Sequence, residues 1–334
     1  TLAYYTIFVV NIQGMDENSL LQLLLSPAHK LLCTQEEFVA AIISCFPVAA
    51  QKSFADIVYT ISKGFYSEPL TYRDSVKKEL QAVSRQSEIS VTDDFGSDTL
   101  DPDSLAYHRI KGMILSDTRY GFSTKQFAED LLTADANPHI SCHFLHITSG
   151  GGEAWYLDRV SEILRTLDKP VYTLIEKVCA SAAYYIGCHG VQVKAVTQND
   201  TIGSIGTMVS FYDIRPYLES LGLKYIEEYA SKSRLKNKKF NDLVAGKPEQ
   251  YIKEELDPLQ VQFEAEVRRS RSALAALDPE HPVFLGESFD AVHSVENGLV
   301  DGIVTMPEAM NEAYGLGREW SRKNKMRHQA YSFI

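Results

Sequence analysis

Three segments hold the residue types most able to do chemistry: Ser149-Gly150-Gly151-Gly152, Cys179-Ala180-Ser181-Ala182-Ala183-Tyr184-Tyr185, and Thr201-Ile202-Gly203-Ser204-Ile205-Gly206. Glycine lets backbone N–H groups approach a ligand, and a following helix start favours negative charge. The first segment therefore suits a phosphate cradle, an oxyanion hole or a plain strand-to-helix turn. It lacks the Gly-Lys-Ser/Thr of a nucleotide-binding loop and the G-x-G-x-x-G of a dinucleotide fingerprint. Ser181 stands among small residues where a strand gives way to an apolar helix, so it is a candidate nucleophile or a helix N-cap. The third segment implies close backbone packing.

A serine nucleophile needs a base. His189 follows Ser181 by eight residues in the same helical pattern, about 12 Å along the axis, and cannot reach it. His143 and His146 stand three apart on a strand and point to opposite faces, which argues against a metal pair. No metal or other cofactor is called for. Lysine remains, provided burial lowers its pKa. The basic run Lys232-Ser-Arg-Leu-Lys236-Asn-Lys238-Lys239 offers candidates, and is otherwise a solvated loop.

The elements that must hold these residues show as strands and helices in alternation. Apolar or β-branched runs fall at 107–115, 142–147, 171–176, 191–196 and 224–229. Helical patterns occupy 124–133, 154–166, 181–188 and 214–221, a long charged helix 253–276, and a closing turn and strand 298–304. This is the pattern of βαβ units with a mostly parallel sheet. Upstream, helical patches lie near 18–25, 34–46 and 72–84, followed by a Ser/Asp/Gly-rich stretch, 87–104, read as a linker.

The 334 residues carry 33 Lys+Arg against 44 Asp+Glu, a net charge of −11, which disfavours a global grip on nucleic acid or anionic lipid. The apolar runs 2–12 and 38–50 are shorter than the roughly 20 residues that span a bilayer. Five cysteines without Cys-x-x-Cys spacing fit buried thiols in a reducing compartment. The expectation is a soluble cytoplasmic chain; residue 1 is Thr, which leaves an upstream anchor open.

In order, these motifs resemble the signal peptide peptidase A (SppA) family of Ser/Lys peptidases, on the ClpP/crotonase-type α/β fold. The family's Ser-Pro-Gly-Gly is similar to Ser149–Gly152 with Gly150 for proline, and Ala-Ala-Ser-Gly-Gly-Tyr-Tyr is similar to Cys179–Tyr185. Thr-Gly-Ser-Ile-Gly resembles Thr201–Gly206 with Ile202 inserted. The closing Ala-x-x-x-Gly-Leu-Val-Asp looks like the stretch ending at Asp301, with Ser294 at the usual alanine. Within the family the chain looks closest to the phage capsid (prohead) maturation proteases related to the lambda head protease.

The resemblance implies a serine endopeptidase acting on extended polypeptide. Ser181 is its nucleophile, Gly151 and Gly152 its oxyanion hole, and Ser204 the residue that orients the lysine. Lys236 fits the base best, at 236 − 181 = 55 residues from the serine, with Lys232 and Lys238 as runners-up; a gapless alignment puts Arg234 there. It also implies a homo-oligomeric ring and polypeptide partners such as capsid or scaffold proteins, with no nucleic acid. The division expected is a helical region 1–86 as an N-terminal extension, a linker 87–104, a peptidase domain 105–310 and a tail 311–334. Two other readings stay open: a degenerate structural or adaptor member, and a crotonase-like acyl-CoA enzyme.

Overall fold

The computed structural model describes residues 31–32, 72–118, 121–211, 213, 215–220 and 222–331. The helices expected near 18–25 and 34–46 lie outside them. Strands β3 (Ser104–Lys111), β6 (Ile140–Ser149) and β8 (Val171–Ala180) form the middle of a seven-stranded sheet. They are buried nearly throughout, as parallel strands covered on both faces must be. β2 (Val91–Thr92) flanks β3. On the far side β8 pairs with two strands in turn: β9 (Gln192–Ala195) along Tyr172–Ile175, then β10 (Thr201–Gly203) along Val178–Ala180. These pairings are parallel; only β11 (Ser288–Asp290), on β10, is antiparallel. The α/β class and the mostly parallel sheet read from the sequence are both present.

The branch in β8 has a local cause. Lys177 takes φ 71°, and its N–H donates to Asp200 Oδ1 at 3.1 Å. Asp200 Oδ2 accepts the N–H groups of Val196 and Thr197. One buried carboxylate thus fixes the point where β8 passes from β9 to β10.

Side chains alternate across the sheet with period two. Leu105, Tyr107, Cys142, Phe144, Tyr172 and Leu174 face helices α1 (Tyr72–Ser84) and α9 (Met306–Tyr331). Ile110, Leu145, Ile147, Val171 and Ile175 face α2 (Thr124–Ala136), α3 (Leu157–Thr166), α4 (Ala182–Gly187) and α7 (Asp257–Ser270). A second sheet of short strands, β1 (Leu31–Leu32), β7 (Gly152–Glu153), β4 (Ile114–Leu115) and β5 (Phe122–Ser123), follows the glycine loop.

Several expectations are corrected. Residues 224–229 form no strand; Tyr225 and Ile226 are exposed, and among the described residues no strand pairs with this segment. The charged helix ends at Ser270, where Arg271 turns extended and binds Asp301 at 2.6 Å. It starts beyond a π turn, Ile252–Leu256, just ahead of Pro258, which has no N–H to donate. The stretch read as a linker contributes β2 and the buried Phe95. Residue 311, the start of the expected tail, lies inside α9, whose Ala309, Met310 and Ala313 are core residues.

Candidate active site

Ser181 stands at the elbow between β8 and α4, with φ 55° and ψ −125°. Only glycine adopts such angles without cost, so a serine there stores roughly 1–3 kcal/mol of strain. The N-cap alternative fails on geometry, because the side chain makes no cap hydrogen bond. Its Oγ is buried and has no hydrogen-bond partner. A buried hydroxyl left unbonded is unfavourable, and here it coincides with the strained elbow.

The three small-residue segments meet here. Ser149 pairs with Cys179 across the β6–β8 edge, so the glycine loop begins beside the elbow. Gly203 pairs with Ala180 from the other side, and the Ser181 N–H donates to the Gly203 carbonyl at 2.9 Å. Ser204 follows directly, half-buried at φ 51°, its N–H donated to the Glu287 carbonyl.

The glycines have a packing reason as well as a chemical one. A Cβ on Gly152 would lie 2.0 Å from the Ile114 carbonyl oxygen, so β7 can lie against β4 only with glycine there. Ile114 donates to the Gly151 carbonyl at 2.9 Å. The Gly151 N–H donates to Ser149 Oγ at 3.1 Å, and that hydroxyl donates to the Gly112 carbonyl. The N–H proposed for the oxyanion is therefore already engaged.

Lys232, Lys236 and Lys238 are all exposed, and Lys238 pairs with Asp242. None of them bonds to Ser181, whose Oγ has no partner. Burial does bring one lysine down, Lys169, to about 8. Its Nζ donates to the carbonyls of Ala134 and Asn137 at the end of α2, which is a helix-capping role.

The histidines lie in the framework. His143 bonds His108 and Asp135, while His146 bonds Tyr107 and Glu176 on the other face. Burial lowers the pKa of both rings. Among the described residues no group of His, Cys, Asp and Glu is placed to hold a metal. His189, past the end of α4, bonds Glu266 Oε1 at 3.0 Å and Ser161 Oγ at 3.3 Å.

Sequence reasoning missed one feature. A cavity of about 180 Å³ lies past the glycine loop, between Trp155, Tyr156, Tyr185, Thr207, Leu259 and Phe263. Tyr185 donates its N–H to the Ser181 carbonyl, which sets this cavity one helical turn from the elbow. The aromatic pair after the glycines was the available signal.

Residues 164–317 match the profile of peptidase family S49. A putative signal peptide peptidase, SppA, of Enterococcus faecium is 25% identical over 203 residues. That alignment covers 58% of this chain and 56% of the relative, so the chain spans about half the length of the curated protein it matches. Two solved structures are similar, both of the 1510-N membrane-bound stomatin-specific protease. A lysine-to-alanine mutant in complex with a substrate peptide has 12% identity and a TM-score of 0.41, covering 64% of this chain and 81% of that one. A serine-to-alanine mutant has 14% identity and a TM-score of 0.39, covering 61% and 81%. The stretch similar to peptidase family S49 thus spans a little under half of the chain. Among the described residues no helix is long and apolar enough to cross a membrane.

Proposed function

We propose that the chain is a serine endopeptidase that cleaves extended polypeptide through an acyl-enzyme on Ser181. The observation that carries this is the strained elbow with its buried, unbonded Oγ. Oγ attacks the scissile carbonyl as a lysine takes its proton. Backbone N–H groups of Gly151 and Gly152 hold the tetrahedral oxyanion, the contribution that is usually largest in acyl transfer. Collapse expels the amine, which takes the proton back from the lysine, and water then releases the acyl group. The Gly151 N–H leaves Ser149 Oγ to do this. The cavity beside Tyr185 receives an apolar side chain of the substrate.

Lys236 is the base in this reading, with Lys232 and Lys238 behind it, and Ser204 orients the amine. All three lysines are exposed in the single chain. The dyad is completed when segment 231–238 closes or when protomers assemble into a ring. A cytoplasmic role in phage capsid maturation is the narrowest form of the reading and rests on the sequence resemblance alone.

The test is casein cleavage and self-trimming by the parent chain, Ser181→Ala and Lys236→Ala. Loss in both variants, with the fold intact, supports the dyad. Loss with Ser181→Ala alone moves the base to Lys232 or Lys238. Cleavage that survives Ser181→Ala overturns the proposal, and thioester turnover indifferent to that change favours a crotonase-like enzyme.

A further inference from the structure

A cavity of about 420 Å³ opens between α1, the segment after β2, β3 and the start of α2. Neither Ser181, Ser204 nor the glycine loop lines it. Its apolar wall is aromatic: Tyr72, Phe95, Tyr107, Phe122 and Phe127. Its polar wall carries four acidic residues, Asp93, Asp117, Glu129 and Asp130, against three basic ones.

The charges around it do not cancel. Of the three cations in the lining, Arg109 is bound by Glu79 and Lys125 by Asp117. That leaves Arg73 against Asp93, Glu129 and Asp130. Asp130 accepts one bond, from Gln126 Nε2 at 3.1 Å, and burial raises its pKa. Asp93 Oδ2 is buried and has no hydrogen-bond partner.

A second orphan acceptor follows from a chain of hydrogen bonds. Asp135 is a carboxylate, bonded by the N–H groups of Asp168 and Lys169, so His143 Nε2 must donate to it. A neutral imidazole has one N–H, so His143 Nδ1 accepts, and the donor is His108 Nε2 at 3.0 Å. Burial holds the His108 ring neutral. His108 Nδ1 is then a bare lone pair on a ring that is 4% exposed, lines the cavity and stacks against Phe95 at 4.6 Å.

Two acceptors left without a donor, an excess of carboxylate and rings on the remaining wall define by chemistry the kind of ligand the cavity suits. It brings N–H donors, positive charge and an apolar stem. We propose that this cavity binds an organic cation, a guanidinium or ammonium on an aliphatic stem, with Asp93 and His108 accepting its N–H groups and the aromatic wall taking its stem and charge. The same chemistry is presented by a free amine and by a basic side chain of a polypeptide.

Isothermal titration calorimetry on the full chain tests this with agmatine, the blocked peptide Ala-Arg-Ala, and Ala-citrulline-Ala as its neutral isostere. The expected result is binding of a cationic probe, at least ten-fold weaker binding of the citrulline peptide, and a loss of ten-fold or more in Asp93→Asn. Asp98→Asn, the same charge change at an exposed position, leaves affinity unchanged. Asp130→Asn serves as the second variant if Asp93→Asn does not fold. Agmatine binding without the peptide identifies a free amine as the source; binding of both identifies a side chain. No binding of either cation at millimolar concentration, equal binding of the citrulline peptide, or unchanged affinity in the folded variant overturns the proposal.

Discussion

The backbone N–H of Ser181 donates to the carbonyl of Gly203 at 2.9 Å. This bond ties the elbow to the segment that leads into Ser204, so the two small-residue motifs are one piece of structure. It also helps hold Ser181 at φ 55°, which the chain would otherwise relax. Ser181→Gly should therefore raise stability by about 1 kcal/mol or more, as the strain of a non-glycine residue there is removed. Ser181→Ala should also stabilise, by about 1 kcal/mol, because it removes a buried hydroxyl that makes no bond. Both variants should lose peptidase activity by roughly three orders of magnitude or more. Thermal melting and casein turnover on the same samples check this, and an active Ser181→Gly would contradict it.

Gly152 gives a prediction of opposite sign for stability. Its added Cβ would meet the Ile114 carbonyl carbon at 2.8 Å as well as the oxygen, and these are backbone atoms that cannot swing away. Gly152→Ala should destabilise the chain by about 3 kcal/mol or more and disrupt β7. Gly112→Ala, with nothing within 4 Å of its Cβ but φ 75°, should cost only about 1 kcal/mol. Urea denaturation of the two variants separates steric clash from backbone strain.

The physical reach of the sequence shows in which residues were placed by it. His143 and His146 were assigned to opposite faces from strand period alone, and they bond partners on opposite faces. The helix Tyr72–Ser84 was legible because Val76, Leu80 and Val83 repeat at helical spacing and are buried. The strand at 224–229 failed because alternation says nothing about whether a sheet edge is available. The packing of α9 was hidden for a different reason. Its contact face sets Met310 among Ala309, Ala313 and Gly317, small residues that carry little hydrophobic signal. They let the helix approach until a Cβ on Gly317 would meet Ser141 Oγ at 2.2 Å. The site divides the same way. Close packing wrote the elbow into the sequence as a run of small residues, whereas the candidate lysines lie on an exposed segment.

The helix behind the elbow rests on a buried ion pair, and its pH dependence has a definite sign. Burial favours neutral His189, but Cys188 and Glu266 beside it outweigh that and raise its pKa above the ordinary 6.5. Burial likewise opposes the Glu266 carboxylate, yet His189 and Arg165 lower it to about 2. The histidine's contribution is complete below about pH 6.5 and is lost as pH rises through its elevated folded pKa. The carboxylate's contribution is complete above about pH 4.5 and is lost as pH falls toward 2. Stability from this pair should thus be greatest between those limits and decline on the alkaline side. Glu266→Gln should cost about 3 kcal/mol near pH 6 and flatten that decline. A melting series from pH 4 to 10 on both proteins reads it, and parallel curves would remove the pair from the account.

Because Ser181 Oγ has no partner in the single chain, activity under the proposed mechanism must depend on whatever brings a lysine to it. Exposed Leu223, Tyr225, Ile226 and Leu235 lie on the same arm as Lys232 and Lys236, and apolar residues so displayed favour association. Specific activity should therefore rise with protein concentration and level off once assembly is complete, in step with the mass distribution seen by light scattering. Ile226→Glu should shift both curves to higher concentration together, by roughly ten-fold if the arm contributes about 1.4 kcal/mol to association. Mixing inactive Ser181→Ala with inactive Lys236→Ala then separates the two routes to the dyad. Recovered activity means that the lysine crosses between protomers. No recovery, with full activity in dilute monomer, means that segment 231–238 closes over its own serine.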